Sequence, residues 1–321
     1  MILIVATHVN TNACVLVYDL PKYSFPINRL WQQILGSFGS IGNNIFVLIS
    51  GYFLINSSGI DFSRIWKLWI KIFFYSIVFY VLFLLFGHET FSVNAMLKVM
   101  LPITQNQWWF ASSYFVLYLI HPYINIMIKA MSREDFTKFI KAIVIYWSII
   151  PMLTRSNFGA NNTINFICLY CFAAYIRLCM PNLRGKKYIW LGILCFAVNF
   201  LSVIILNFTS LNIKGYFLGM MSPLTLLGCT YLLAGFRGLD IPTSKFINLL
   251  ASATFGVYLI HVNKFVAPFL WHNVFKDALH QDNPYLIPYT IAVIPMVYVS
   301  CTVIELIRAR VFKVLSGGRL S

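Results

Sequence analysis

The chain has 321 residues, of which 60% are hydrophobic and 10% charged, whereas soluble proteins carry about 45–50% apolar and about 25% charged residues. So little polar surface cannot cover an aqueous globule, which excludes a soluble protein and makes the lipid bilayer the solvent. The formal net charge of +15 would raise nucleic acid as a partner for a soluble chain; here the cations fall between apolar stretches, and no nucleic-acid partner is expected.

The first apolar run, opening MILIVATHVN, covers roughly residues 1–10 or 1–17. From Met1 to His8 a helix rises only about 10 Å, a third of the hydrocarbon core. The run reads either as a helix that continues polar-faced through HVNTNACVLV or as the end of a helix that starts upstream, and the second is expected. Apolar stretches of membrane-crossing length follow at 38–55, 68–87, 110–131, 139–155, 164–180, 188–208, 217–236, 246–270 and 286–307. Backbone polar groups must be satisfied inside lipid, so these are helices; the alternation of a membrane barrel is not visible. The expected fold class is all-α, a polytopic membrane helix bundle of about ten transmembrane helices.

With the start of the chain placed in the cytoplasm and sides alternating, 17 of the 24 Lys and Arg fall inside. This positive-inside bias predicts both termini cytoplasmic and a multi-pass protein of the cell membrane. The longer loops, 18–37, 88–109 and 271–285, fall outside. No loop can hold a soluble domain and no repeat is visible, so residues 1–321 read as one membrane-embedded domain. Pro122, Pro151, Pro223 and Pro295 lie inside spans, where they kink helices and free carbonyls. They either shape a cavity or only bend the helices.

Polar groups inside spans mark function by default. His8 and His261 lie toward the outer ends of their helices, and His121 lies midway along its own. Arg155 and Asn157 close the fifth span outside; Glu305 with Arg308 closes the last one inside. Asn43 and Asn44 open the second span, where they would cap it, and Ser50-Gly51 predicts close helix packing. Trp108 and Trp109 suit an outer aromatic belt. In IDFSRIWKLWIK, residues 60–71, Arg64, Lys67 and Lys71 share a helix face. Beside Trp66 and Trp69 they read either as an interfacial anchor or as a phosphate site for a cytoplasmic donor. Histidine is the natural general base near neutral pH, although each histidine alone also fits an interhelical hydrogen bond. His88, His272 and His280 fall in loops. The seven cysteines lie mostly in spans, and Cys168-x-x-Cys171 has metal-like spacing without a second pair nearby. Apolar packing explains them, and no metal is expected.

These segments together resemble the acyltransferase-3 family of integral-membrane O-acyltransferases. The matching pieces are the opening helix ending in His8, GNNIFVLISGYFL at 42–54, Arg64-Ile65-Trp66-Lys67, QWWFASSYFVLYLIHPYIN at 107–125 and ATFGVYLIHVN at 253–263. The resemblance spans nearly the whole chain and rests on the order and spacing of the motifs. It implies transfer of an acyl group, usually acetyl, from cytoplasmic acetyl-CoA to a hydroxyl of a surface glycan or lipid-linked saccharide. It implies a catalytic His8, with His261 as a second catalytic candidate. It implies a donor site at Arg64 and Lys67, to which Lys71 on the same helix face is added; Asn43, Asn44, Ser50, Trp109, Tyr114, His121, Arg155 and Tyr258 are the pocket candidates read from the sequence. Three departures stand out. Lys67 replaces the second arginine of the family's Arg-x-x-Arg pair and lacks its bidentate fork. Val262 stands where proline often follows the histidine. A basic residue about eleven positions before the first histidine would fall before Met1. A transporter or flippase of lipid-linked sugar, and an inactive truncated relative, are the competing classes.

Overall fold

The computed structural model describes residues 1–13, 26–156, 161–207 and 216–315. Cys14 and Asn157 lie outside them. The described residues are helical and contain no strand. The long elements are α1 (Ile2–Ala13), α2 (Pro26–Leu54), α3 (Phe62–Leu85), α4 (Val93–Met100), α5 (Trp109–Ala130), α6 (Arg133–Thr154), α7 (Asn162–Cys179), α8 (Lys186–Asn207), α9 (Pro223–Arg237), α10 (Lys245–His261) and α11 (Leu286–Leu315). Seven of them, α2, α3, α5, α6, α7, α8 and α11, are long and apolar enough to cross a membrane. An eighth is reached if the bent pair Lys245–His261 and Val266–Val274 is one span. The other two expected spans correspond to α1 and α9, of 12 and 15 residues.

Four expectations are corrected here. The stretch 246–270 is not one straight span, because α10 stops at His261 and the chain turns through 87°. Asn263 makes the turn: its Oδ1 accepts from the backbone N–H of Phe265 and Val266 and starts the next helical piece. Residues 26–37 are not loop but the first turns of α2. Their polar side chains face protein, with Asn28, Gln32 and Gln33 all buried. Asn28 Nδ2 donates to the carbonyls of Gln281 and Asn283, and Trp31 Nε1 donates to Thr290 Oγ1. Asn43 and Asn44 therefore sit inside a 29-residue helix and cap nothing. Within the expected loop 88–109, α4 forms, capped by Ser92.

The chain divides into two compact units. The first holds residues 1–36, 61–112 and 242–321. In it α1 packs on α10 and α11, and α3 on α4 and α10. Asp61 caps α3, accepting from the N–H of Ser63 and Arg64.

The second unit holds residues 37–60 and 113–241. Gly51 admits the close packing expected of it: a Cβ there would lie 3.0 Å from Ala173 Cβ and 3.1 Å from Tyr170 Cα. Asn125 Nδ2 donates to the carbonyls of Leu54 and Ser57 at the end of α2, and Tyr170 OH donates to Asn125 Oδ1. Some basic residues at helix ends do more than orient the chain. Arg133 and Arg237 donate to the carbonyls of Cys179, Ile176, Met180 and Pro181 and so cap α7.

Candidate active site

The first unit brings His8 and His261 together. His8 Nδ1 and His261 Nε2 are 3.0 Å apart, with ring centroids at 5.1 Å. His261 is fully buried, and its Nδ1 lies 2.5 Å from the Val257 carbonyl one turn back. A carbonyl only accepts, so His261 Nδ1 carries the hydrogen and the Nε2 of a neutral ring carries a lone pair. His8 Nδ1–H then faces that lone pair, with the Ile4 carbonyl one turn back as a second acceptor for the ring, and in a neutral His8 the Nε2 carries the basic lone pair. The pair is thus an ordered base: one ring keeps a free lone pair, and the second is held by backbone to orient the first.

The surroundings of the pair fix α10. Trp108, expected in an aromatic belt, is instead buried, and its Nε1 donates to the Leu259 carbonyl at 3.2 Å. Tyr258 is buried with its ring against Phe110 and edge-on to His261. Trp109 is half-buried against Phe110. Beyond His261, two buried N–H donors have no protein partner, Asn263 Nδ2 and Trp271 Nε1. The sequence held an unused cue: both histidines are followed by Val-Asn, His8-Val9-Asn10 and His261-Val262-Asn263.

The same unit holds an ionic cluster. Glu305 is 2% exposed and accepts from Tyr75 OH at 2.6 Å and from Lys71 Nζ at 2.9 Å. It also takes a two-pronged contact from Arg308, with Nε on Oε2 and Nη2 on Oε1, both at 2.8 Å. Gly256 of α10 makes room for it, since a Cβ there would lie 2.3 Å from Glu305 Cδ. Beside the cluster is a cavity of about 610 Å³ whose lining includes Lys67, Lys71, Arg308, Arg310 and Lys313, with Glu305 its one acid. Lys67 and Lys71 thus meet a basic stretch of α11 that motif reasoning left out of the site, although Glu305 stood out as the acid inside a span. Arg64 is not in that lining. It is 71% exposed and paired to Asp61 at 3.0 Å. Trp66 and Trp69 stack on one another at 5.2 Å, and Trp66 is exposed.

The remaining expected residues lie in the second unit. His121 is buried, and its Nδ1 lies 2.6 Å from the Tyr118 carbonyl. Pro122 has no N–H for that carbonyl, so the imidazole supplies the missing donor. Asn44 is buried and donates to the Met220 carbonyl, while Asn43 is half-buried. Ser50 bonds back to the Phe46 carbonyl, and Tyr114 stacks edge-on to Phe46. Arg155 ends α6 in a left-handed conformation, φ 57°. Among the loop histidines, His88 and His272 are exposed, whereas His280 is half-buried with its ring 4.2 Å from Tyr289. Cys168 and Cys171 are buried free thiols. The described residues contain no group of three or more metal-ligating side chains.

A family model described as an acyltransferase domain matches residues 1–305, which takes in the histidine pair, both lysines and Glu305. Neither a curated protein nor a solved structure gives a match.

Proposed function

The chain belongs to the acyltransferase-3 family, and from that premise we propose that it moves an acetyl group from acetyl-CoA to a hydroxyl of a cell-surface polysaccharide or lipid-linked sugar. The observation that carries the reading is the 3.0 Å contact between His8 and His261. A half-buried His8 and a fully buried His261, ordered so that one nitrogen stays basic, match what attack by a hydroxyl requires. The sugar O–H gives its proton to His8 Nε2 as its oxygen bonds to the thioester carbonyl carbon. The cation forming on His8 is stabilised through Nδ1–H by the lone pair of His261, which the Val257 carbonyl holds in place. Asn263 Nδ2 and Trp271 Nε1, lacking partners, are the N–H donors available to the carbonyl oxygen as it becomes an oxyanion. The tetrahedral centre then collapses, the C–S bond breaks, and the coenzyme A thiolate recovers the proton from His8.

The donor's phosphates suit the basic cavity of Lys67, Lys71, Arg308, Arg310 and Lys313, with Arg64 contributing from its exposed position. The whole of residues 1–321 acts as one membrane-embedded domain with both ends in the cytoplasm of a cell-membrane protein. The test is incubation of membranes with acetyl-labelled acetyl-CoA, followed by analysis of label in surface glycan. The wild-type chain transfers label, and His8→Ala, inserted to the same level, does not. Equal label in the two would sink the assignment.

A further inference from the structure

Far from the histidines in sequence, the second unit contains a cavity of about 420 Å³ lined by Trp147, Ser148, Arg155, Asn165 and residues 219–222, among others. Three buried side-chain atoms in that lining have no hydrogen-bond partner: Trp147 Nε1, Ser148 Oγ and Asn165 Oδ1. Ser148 is only 2% exposed. Buried polar groups are paired in the large majority of cases, so three orphans around one cavity point to a ligand that pairs with them. The backbone prepares the wall. Residues Ile145–Ile149 form a π-helical turn within α6, just before Pro151, which offers no N–H to the Trp147 carbonyl. Such turns occur frequently at functional sites, and this one places Trp147 and Ser148 side by side in the lining.

The chemistry of the lining selects the ligand class. An indole N–H donates only, an amide oxygen accepts only, and a hydroxyl does both. The lining has no carboxylate and a single cation, Arg155, while the indole of Trp147 with Met152, Met220 and Met221 gives apolar surface. A polyhydroxylated ring presents the same mixture, with hydroxyls around its edge and C–H groups on its faces. The volume lies within the usual range of small-molecule sites. We infer that this cavity binds a saccharide ring through Trp147, Ser148 and Asn165. The inference deepens the acyl-transfer reading, for which it supplies a holding site for the acceptor. It does not depend on catalysis by His8.

The experiment uses the purified full chain in detergent with a panel of glucose, galactose and N-acetylglucosamine trimers. Saccharide binding is read by equilibrium binding and by quenching of tryptophan fluorescence. At least one trimer is expected to bind, with the fluorescence change lost in Trp147→Phe and affinity about tenfold weaker in Ser148→Ala. Asn162→Trp, an exposed position at the cavity that can change without disturbing the core, should block binding while the chain keeps its melting temperature. His8→Ala should bind as the wild type does. No binding by any trimer, or binding unchanged in both Ser148→Ala and Asn162→Trp, would overturn the inference. Displacement of a bound trimer by inorganic phosphate at equal concentration would also overturn it, by making the cavity an anion site of Arg155. Saccharide binding without label transfer from acetyl-CoA would defeat the transfer reading alone, and label transfer without cavity-dependent binding would defeat this one alone.

Discussion

At His8 and His261 two rings meet as donor and acceptor; at Glu305 one carboxylate answers Tyr75, Lys71 and Arg308. Both groups lie in the first unit around a buried residue, His261 or Glu305, and both touch α10, at His261 and at Gly256. They differ in what they leave over. The histidine contact consumes three of four ring nitrogens and keeps one lone pair, which is a reactive surplus. The Glu305 cluster neutralises part of a cationic cavity and keeps positive charge, which is a binding surplus. The comparison teaches that burial of polar groups in a membrane bundle is not one signal. What the arrangement leaves unpaired tells chemistry from binding.

The largest effect expected is on the reactive side. His8→Ala should lower acetyl transfer by about 10²–10⁴, the range for losing a general base. His261→Ala should lower it less, and the double substitution should be no worse than His8→Ala, because residues that act as a unit are not additive. Rates measured in membranes at matched protein level decide this; additive losses would separate the two rings. Next comes Glu305→Gln, which leaves the half-buried Lys71 and Arg308 without their anion. Breaking a fully buried pair costs about 3–5 kcal/mol; with these cations partly exposed the loss should fall below that range, read as a fall in melting temperature in detergent. An unchanged melt would mean that the cations find lipid or solvent instead.

Gly256→Ala sharpens the comparison, because its Cβ would lie on Glu305 and not on either histidine. Overpacking of this kind costs about 1–3 kcal/mol, and donor affinity should fall before the pH profile of transfer changes. A smaller effect is expected for His121→Phe, which orphans the Tyr118 carbonyl at about 1–3 kcal/mol and leaves the rate per folded molecule alone; a rate defect at full folding would make His121 part of the chemistry. Arg64→Ala should matter least. Its exposed pair with Asp61 contributes about 0–1 kcal/mol, and the KM for acetyl-CoA should rise less than in Lys67→Ala.

Hydropathy made most spans legible, because lipid-facing helices must be apolar. It failed where polar side chains are buried against protein. Asn28, Gln32 and Gln33 made the start of α2 look like loop, although these side chains are buried. It also failed at the turn after His261, since VNKFVAPFLW stays apolar and only Asn263 betrays the stop. His8, His261, Lys67 and Lys71 were visible as costly residues in apolar runs. Their partners were not: His8 and His261 are 253 positions apart, and Tyr75 and Glu305 are 230 apart. A local pattern does carry the role of His121, through Pro122 beside it. The orphaned atoms of the second cavity had no sequence signal, because a missing partner exists only in the folded chain.

The polar first turns of α2 have a consequence for biogenesis. Asn28 and Trp31 find their partners at residues 281–290, some 253 to 259 positions later. At translation speeds of about 5–20 residues per second, those partners emerge roughly 10–50 s after α2. Until then this end of the helix carries unmet hydrogen-bonding groups that hydrocarbon does not tolerate. It must wait near the headgroups or beside an insertion factor, and it reaches its final depth only when α11 arrives. The order of synthesis thus makes docking of the last helix the step that completes the second.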